Sequence, residues 1–195
     1  LADARRRKPR RTDRPLRRIS KRAAASSGQN SIAGGAVAAV ELGAGGAVYN
    51  NQFLSGHFGV AIQGSPGAVT NSGTIVAANA GTAATAYQAI GVFLSAGGGV
   101  TNQTSSQIFG QGAGVDILGG TGTVSNSGTI AGSAYDGVYL ASGNVTNMYG
   151  ATITGGTIGS GGSIGVGGSI VTSGWGVVIR DGGSLSNAGT VAGMS

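Results

Sequence analysis

The chain has 195 residues, of which 41 are Gly, 9% are charged and none is Cys. Usual shares are about 7% Gly and about 25% charge; the missing Cys excludes a disulfide scaffold and a Cys-ligated metal site, and the single His57 excludes any site needing two imidazoles. No stretch approaches the ~20 apolar residues of a transmembrane helix, and the apolar residues are too regularly spaced for a glycine-rich disordered chain.

The net charge of +6 is unevenly placed. Residues 1–22 hold eleven Arg and Lys against Asp3 and Asp13, a net of +9. The rest holds Arg180 against Glu41, Asp116, Asp136 and Asp181, a net of −3. Residues 1–30 therefore read as a basic, disordered head, and 31–195 as a repeat domain. The head has three readings. It is a polyanion-binding tail, the start of an export signal, or sequence foreign to the mature protein. Arg17-Arg18-Ile19-Ser20-Lys21 resembles a twin-arginine start, but Ala23 to Asn30 is too polar for the apolar region that follows one. No specific nucleic-acid binding is expected of the acidic remainder.

From residue 40 onward two phrases alternate. Val40-Glu41-Leu42 is a first, Gly-less copy of Gly-Val-x-Leu/Ile, and Val48-Tyr49-Asn50 a loose copy of the second phrase. Gly59-Val60-Ala61-Ile62 follows, then Val69-Thr70-Asn71-Ser72-Gly73-Thr74-Ile75. About ten extra residues, near Val76 to Ala89, read as a flank loop, either tolerated or part of a binding face. The pattern resumes with Gly91-Val92-Phe93-Leu94, Val100-Thr101-Asn102, Gly114-Val115-Asp116-Ile117 and Val124-Ser125-Asn126-Ser127-Gly128-Thr129-Ile130. Gly137-Val138-Tyr139-Leu140 and Val145-Thr146-Asn147 come next. Thr154 to Gly168 is almost pure Gly, Ser, Thr and Ile and predicts a thin, degenerate coil around Ile164 and Ile170. Gly176-Val177-Val178-Ile179 and Leu185-Ser186-Asn187-Ala188-Gly189-Thr190-Val191 complete the series.

Within each phrase the period is two, the spacing of a strand. Val, Ile and Thr suit strands, and Gly, Asn and Ser mark the corners. Strands of three to five residues returning every ~20 residues fit an all-β parallel β-solenoid of about seven coils of ~20–24 residues. Four buried aliphatic side chains fall well short of the backbone entropy of one coil, so no coil folds alone.

The expected inward stacks follow from the phrases. The first is Val48, Val69, Val100, Val124, Val145, Ile164 and Leu185. The second is Ile75, Ile108, Ile130, Ile153, Ile170 and Val191. The third is Val60, Val92, Val115, Val138 and Val177, with Ile62, Leu94, Ile117, Leu140 and Ile179 beside it. Ala61, Phe93, Asp116, Tyr139 and Val178 are expected to face out. Asn50, Asn71, Asn102, Asn126, Asn147 and Asn187 read either as an amide ladder between coils or as corner residues tolerant of left-handed backbone angles.

The two phrases, recurring over about residues 32–195, resemble the passenger domains of Gram-negative autotransporters and related large surface adhesins. The resemblance implies a right-handed parallel β-helix, exported to the cell surface or secreted. It further implies an outer-membrane β-barrel in the full-length protein and a host surface or glycan as partner. The chain starts at Leu1 and stops within a repeat, as a fragment would; its open strand edges predict self-association.

Catalytic signals are weak, and no enzyme is expected. A glycan-cleaving site needs clustered carboxylates, yet Asp116, Asp136 and Asp181 sit at different offsets within their phrases, and Glu41 lies several coils away. Gly119-Gly120-Thr121-Gly122-Thr123 approaches a Ca²⁺-binding turn, but Val124 stands where its Asp belongs. His57 reads as an exposed loop residue. No metal, cofactor or nucleophile constellation emerges. Trp175, Tyr135, Tyr87, Phe58 and Phe93 either form a binding patch or cover coil edges.

Overall fold

The computed structural model describes residues 31–34, 37–78, 89–156, 164–166 and 174–193. The basic head 1–30, most of the insertion after Val76, Tyr87 and Ile170 lie outside them.

The chain opens with β1 (Ser31–Ala33) and then runs β2 (Ala38–Leu42), β3 (Gly46–Asn50) and β4 (Phe53–Gly56). The same succession returns as β5 (Phe58–Ile62), β6 (Gly67–Asn71) and β7 (Thr74–Ala77), then as β8 (Val92–Leu94), β9 (Gly98–Asn102) and β10 (Gln107–Gly110). Next come β11 (Val115–Asn126), β12 (Thr129–Gly132), β13 (Val138–Asn147) and β14 (Thr152–Thr154). The last are β15 (Ile164–Val166), β16 (Val177–Ile179), β17 (Gly183–Asn187) and β18 (Thr190–Ala192). No helix occurs among the described residues.

Every named strand pairing is parallel. One seven-stranded sheet has the order β1-β4-β7-β10-β12-β14-β18. The other strands form an eleven-stranded sheet whose main path is β15-β16-β13-β11-β8-β5-β2, with β3, β6, β9 and β17 beside it. Strand β11 spans 12 residues and β13 spans 10, longer than the expected three to five, because each ladder continues through a Gly-containing corner. In β11 the register shifts between Ile117 and Thr121.

Registers align like residues. Leu54, Ile75, Ile108, Ile130, Ile153 and Val191 lie opposite one another in succession. So do Val40, Val60, Val92, Val115, Val138 and Val177, and Val48, Val69, Val100, Val124, Val145 and Leu185. These side chains form one buried apolar cluster, with Val40, Leu185 and Val191 at its partly buried margins. Alternation places the aliphatic residue inside and Thr or Ser outside, which is what a strand buried on one face requires.

Two expectations about this packing need correction. Ile164 does not stand between Val145 and Leu185, which pair directly. It lies opposite Val177, in the valine column. The degenerate stretch has lost the Asn phrase that would have held it in the other row. The middle residues of Gly-Val-x-Leu are also not all outward and open: Ala61 and Val178 are buried, and Phe93, Asp116 and Tyr139 are half-buried.

Glycine serves two packing roles. Gly46, Gly67, Gly98, Gly122, Gly143 and Gly183 form one in-register column at a corner. Gly98 has φ +126°, and a Cβ there would collide with the Gly67 carbonyl; only Gly tolerates both demands. The Gly of Gly-Val-x-Leu answers to packing. A Cβ on Gly114 would sit 2.6 Å from the Gly137 oxygen and 2.7 Å from Ile130 Cγ2.

Candidate functional site

Polar chemistry concentrates in two places. The first is the corner that ends β3, β6, β9, β11, β13 and β17. Asn50 Nδ2 donates to Asn71 Oδ1 at 2.8 Å, and Asn71 to Asn102 at 2.9 Å. Asn102, Asn126 and Asn147 donate onward, ending on Asn187 Oδ1, each at 2.9 Å. Each of these five amides also donates to the carbonyl that opens a strand of the neighbouring sheet, as Asn126 does to Thr152 O at 3.0 Å. The oxygens of Asn50, Asn71, Asn126 and Asn187 additionally accept the N–H two residues on. One residue type thus serves as ladder rung and as corner brace. Asn71, Asn102 and Asn126 are fully buried, whereas Asn187 is exposed. With donors and acceptors spent inside the ladder, the five buried amides, Asn50 to Asn147, offer nothing to a ligand.

The second place is the outer face of β11. Asp116 lies between Phe93 of β8 and Tyr139 of β13. Asp136 precedes β13, and its Oδ1 accepts the Trp175 N–H at 3.1 Å. Asp116 Oδ1 is buried without a hydrogen-bond partner. Burial first, and then the neighbouring Asp136 carboxylate, push Asp116 up to about 7. Burial pushes Asp136 up to about 6, against the lowering effect of the Trp175 N–H. Both act as desolvated carboxylates do.

Sequence reasoning separated these two carboxylates because their offsets differ, and the strand register keeps them in different columns. It missed that a corner residue of one strand approaches the middle of its neighbour. The usable signal was Val115 aligned with Val138, which sets Asp136 opposite Ala113, three residues from Asp116. Glu41 and Asp181 are exposed and do not join the pair. Among the described residues no three His, Asp or Glu side chains gather as a metal site would need.

His57 is half-buried, not exposed, with its ring edge-on to Phe58 at 5.1 Å. Phe58 in turn meets Phe93 at 5.7 Å. Trp175, Tyr135, Phe58 and Phe93 are all half-buried. Among the described residues the exposed aromatics are others: Tyr149 at 91%, Tyr49 at 60% and Phe53 at 43%. All three flank the Asn corner, where an outward strand position or a turn leaves a ring no neighbour to cover it. Comparison of the chain with family models, with curated proteins and with solved structures gives no match.

Proposed function

We propose that the chain is a structural and adhesive segment of a cell-surface or secreted protein of the autotransporter type, a rod without catalysis. In this reading the strands form a right-handed parallel β-helix of about seven coils, each of about 20–24 residues. With coils about 4.8 Å apart, the rod is on the order of 35 Å long. The full-length protein belongs on a Gram-negative outer membrane, displayed through a β-barrel, and its loops and turns meet a host surface or glycan.

One observation carries the reading. Like residues oppose like along each strand row, and the buried amides are consumed in joining neighbouring strands. Such a chain spends its polar chemistry on length. Cells displaying residues 31–195 on a barrel anchor test the adhesive role: they should bind epithelial cells or a glycan array above the bare anchor. Binding no better than the bare anchor on both would remove it.

A second reading, a glycan-active enzyme, is favoured by the Asp116 and Asp136 pair, two half-buried carboxylates close enough to influence each other, since paired carboxylates do acid–base work on glycosides. Turnover of polyuronate or glucan that disappears in Asp116→Asn would establish it. Silence of the wild type would retire it.

A further inference from the structure

Strand β15 is out of step with the chain. It precedes β16 in sequence, yet it pairs with β16 on the side away from β13. Everywhere else on that path the strand order follows the chain, β2-β5-β8-β11-β13-β16. β15 therefore ends the path beyond β16, out of chain order.

The ladder alternation shows which groups β15 covers. Val138 N–H donates to Gly176 O at 2.9 Å, and Arg180 N–H donates to Leu140 O at 3.0 Å. In a parallel pair, alternate residues turn their N–H and C=O to the same neighbour. Val178 and Arg180 thus serve β13, and the amides of Val177 and Ile179 face the opposite edge. Gly165 lies opposite Val178, so its N–H and C=O turn toward that edge. A row of unpaired strand groups there would be a template for another chain.

We propose that β15 is an edge mask: it occupies the place on β16 that β2 of a second copy of this chain would take, and so controls whether copies join head to tail. This rests on the stacked reading above and adds a partner to it. Three features select a second copy. β2 ends the same path with one edge unpaired among the described residues, and its Val40 and Leu42 continue the columns of Val177 and Ile179. The Asn ladder is polar, with the exposed Asn187 amide at one end and Asn50 Oδ1 at the other. Head-to-tail contact would extend it by one rung. Such a contact is heterologous and does not close, so unmasking produces chains of copies. Seating all three strand rows at once requires β15 to leave.

Amide hydrogen exchange and sedimentation velocity on the whole chain test the mask. In the wild type, Val177 and Ile179 amides are protected along with Arg180. Gly165→Pro removes the central β15 donor. It should speed exchange at Val177 and Ile179 by roughly ten-fold or more while Arg180 holds, and should bring oligomers in at lower concentration. Gly165→Val, which favours the strand, should move both readouts the other way and keeps the test open if the Pro variant does not fold. Unprotected Val177 and Ile179 beside a protected Arg180 in the wild type would overturn the mask alone. Loss of protection at Arg180 as well would overturn the stacked reading with it. Faster exchange in Gly165→Pro without added association would sink the masking role.

Discussion

Asn71 Nδ2 meets Asn102 Oδ1 at 2.9 Å across 31 residues of chain, and Asn126 meets Asn147 at the same distance across 21. The extra chain after Val76 therefore leaves the ladder unstretched. A rung in the middle differs from one at the end. Asn102, itself fully buried, accepts from Asn71 and donates to Asn126 in buried bonds and to Thr129 O in a partly buried one. Asn102→Ala strands those partners and should cost about 2–4 kcal/mol, the range for several buried groups left unpaired. Asn187→Ala, at an exposed rung, should cost about 1 kcal/mol or less. Midpoints of urea unfolding measure both; equal losses would show that the ladder is not what holds the corner.

The carboxylate pair sets a pH dependence whose sign is opposite to ordinary acid denaturation. Asp116 and Asp136 are raised from 3.8 to about 7 and about 6. The folded state thus binds protons more tightly than the unfolded chain, and the resulting stability is fully present below pH about 4. It is lost as pH rises through 6 and 7. At about 1.4 kcal/mol for each pH unit by which a carboxyl is raised, the loss between pH 4 and 8 should be on the order of 7 kcal/mol for the pair. Asp116→Asn removes a buried charge whose Oδ1 has no partner to lose. That variant should melt above the wild type at pH 8, about level with it at pH 4, and with a shallower slope between. A wild type that gains stability steadily from pH 4 to 8 would refute this account.

Legibility in the sequence followed the strictness of the packing. The positions of Val69, Val124 and Leu185 are identifiable because a period-two phrase with an Asn two residues on has few other uses, and the register pairs their strands as the phrases align. Column membership failed at Ile164, where Gly and Ser replace the Asn phrase and nothing distinguishes one row from another. The glycine column through Gly98 was missed for a related reason. Its glycines precede the valine by two residues and look like any corner, and only the distance to the next backbone reveals that no side chain fits. The Asp116 and Asp136 approach was illegible because proximity across a corner depends on where the chain turns. Spacing alone does not supply that.

Glycine should therefore divide into replaceable and irreplaceable positions that composition cannot tell apart. Gly43 has open space where a Cβ would stand and no positive φ. Gly43→Ala removes freedom from the unfolded chain without a clash and should be neutral or stabilising by up to about 1 kcal/mol. Gly114→Ala drives its methyl against the Gly137 carbonyl and against Ile130, which is fully buried and cannot swing away. Overpacking of that kind costs roughly 1–3 kcal/mol, and more where backbone is the obstacle. Because Gly91, Gly114 and Gly137 stack on one another's carbonyls, the displacement should pass to adjacent strands. Hydrogen exchange in Gly114→Ala should quicken at Val92, Val115 and Val138 before it does at Val48 or Leu185. If Gly114→Ala unfolds at the same urea concentration as Gly43→Ala, the close approach of these backbones is not a constraint on the fold.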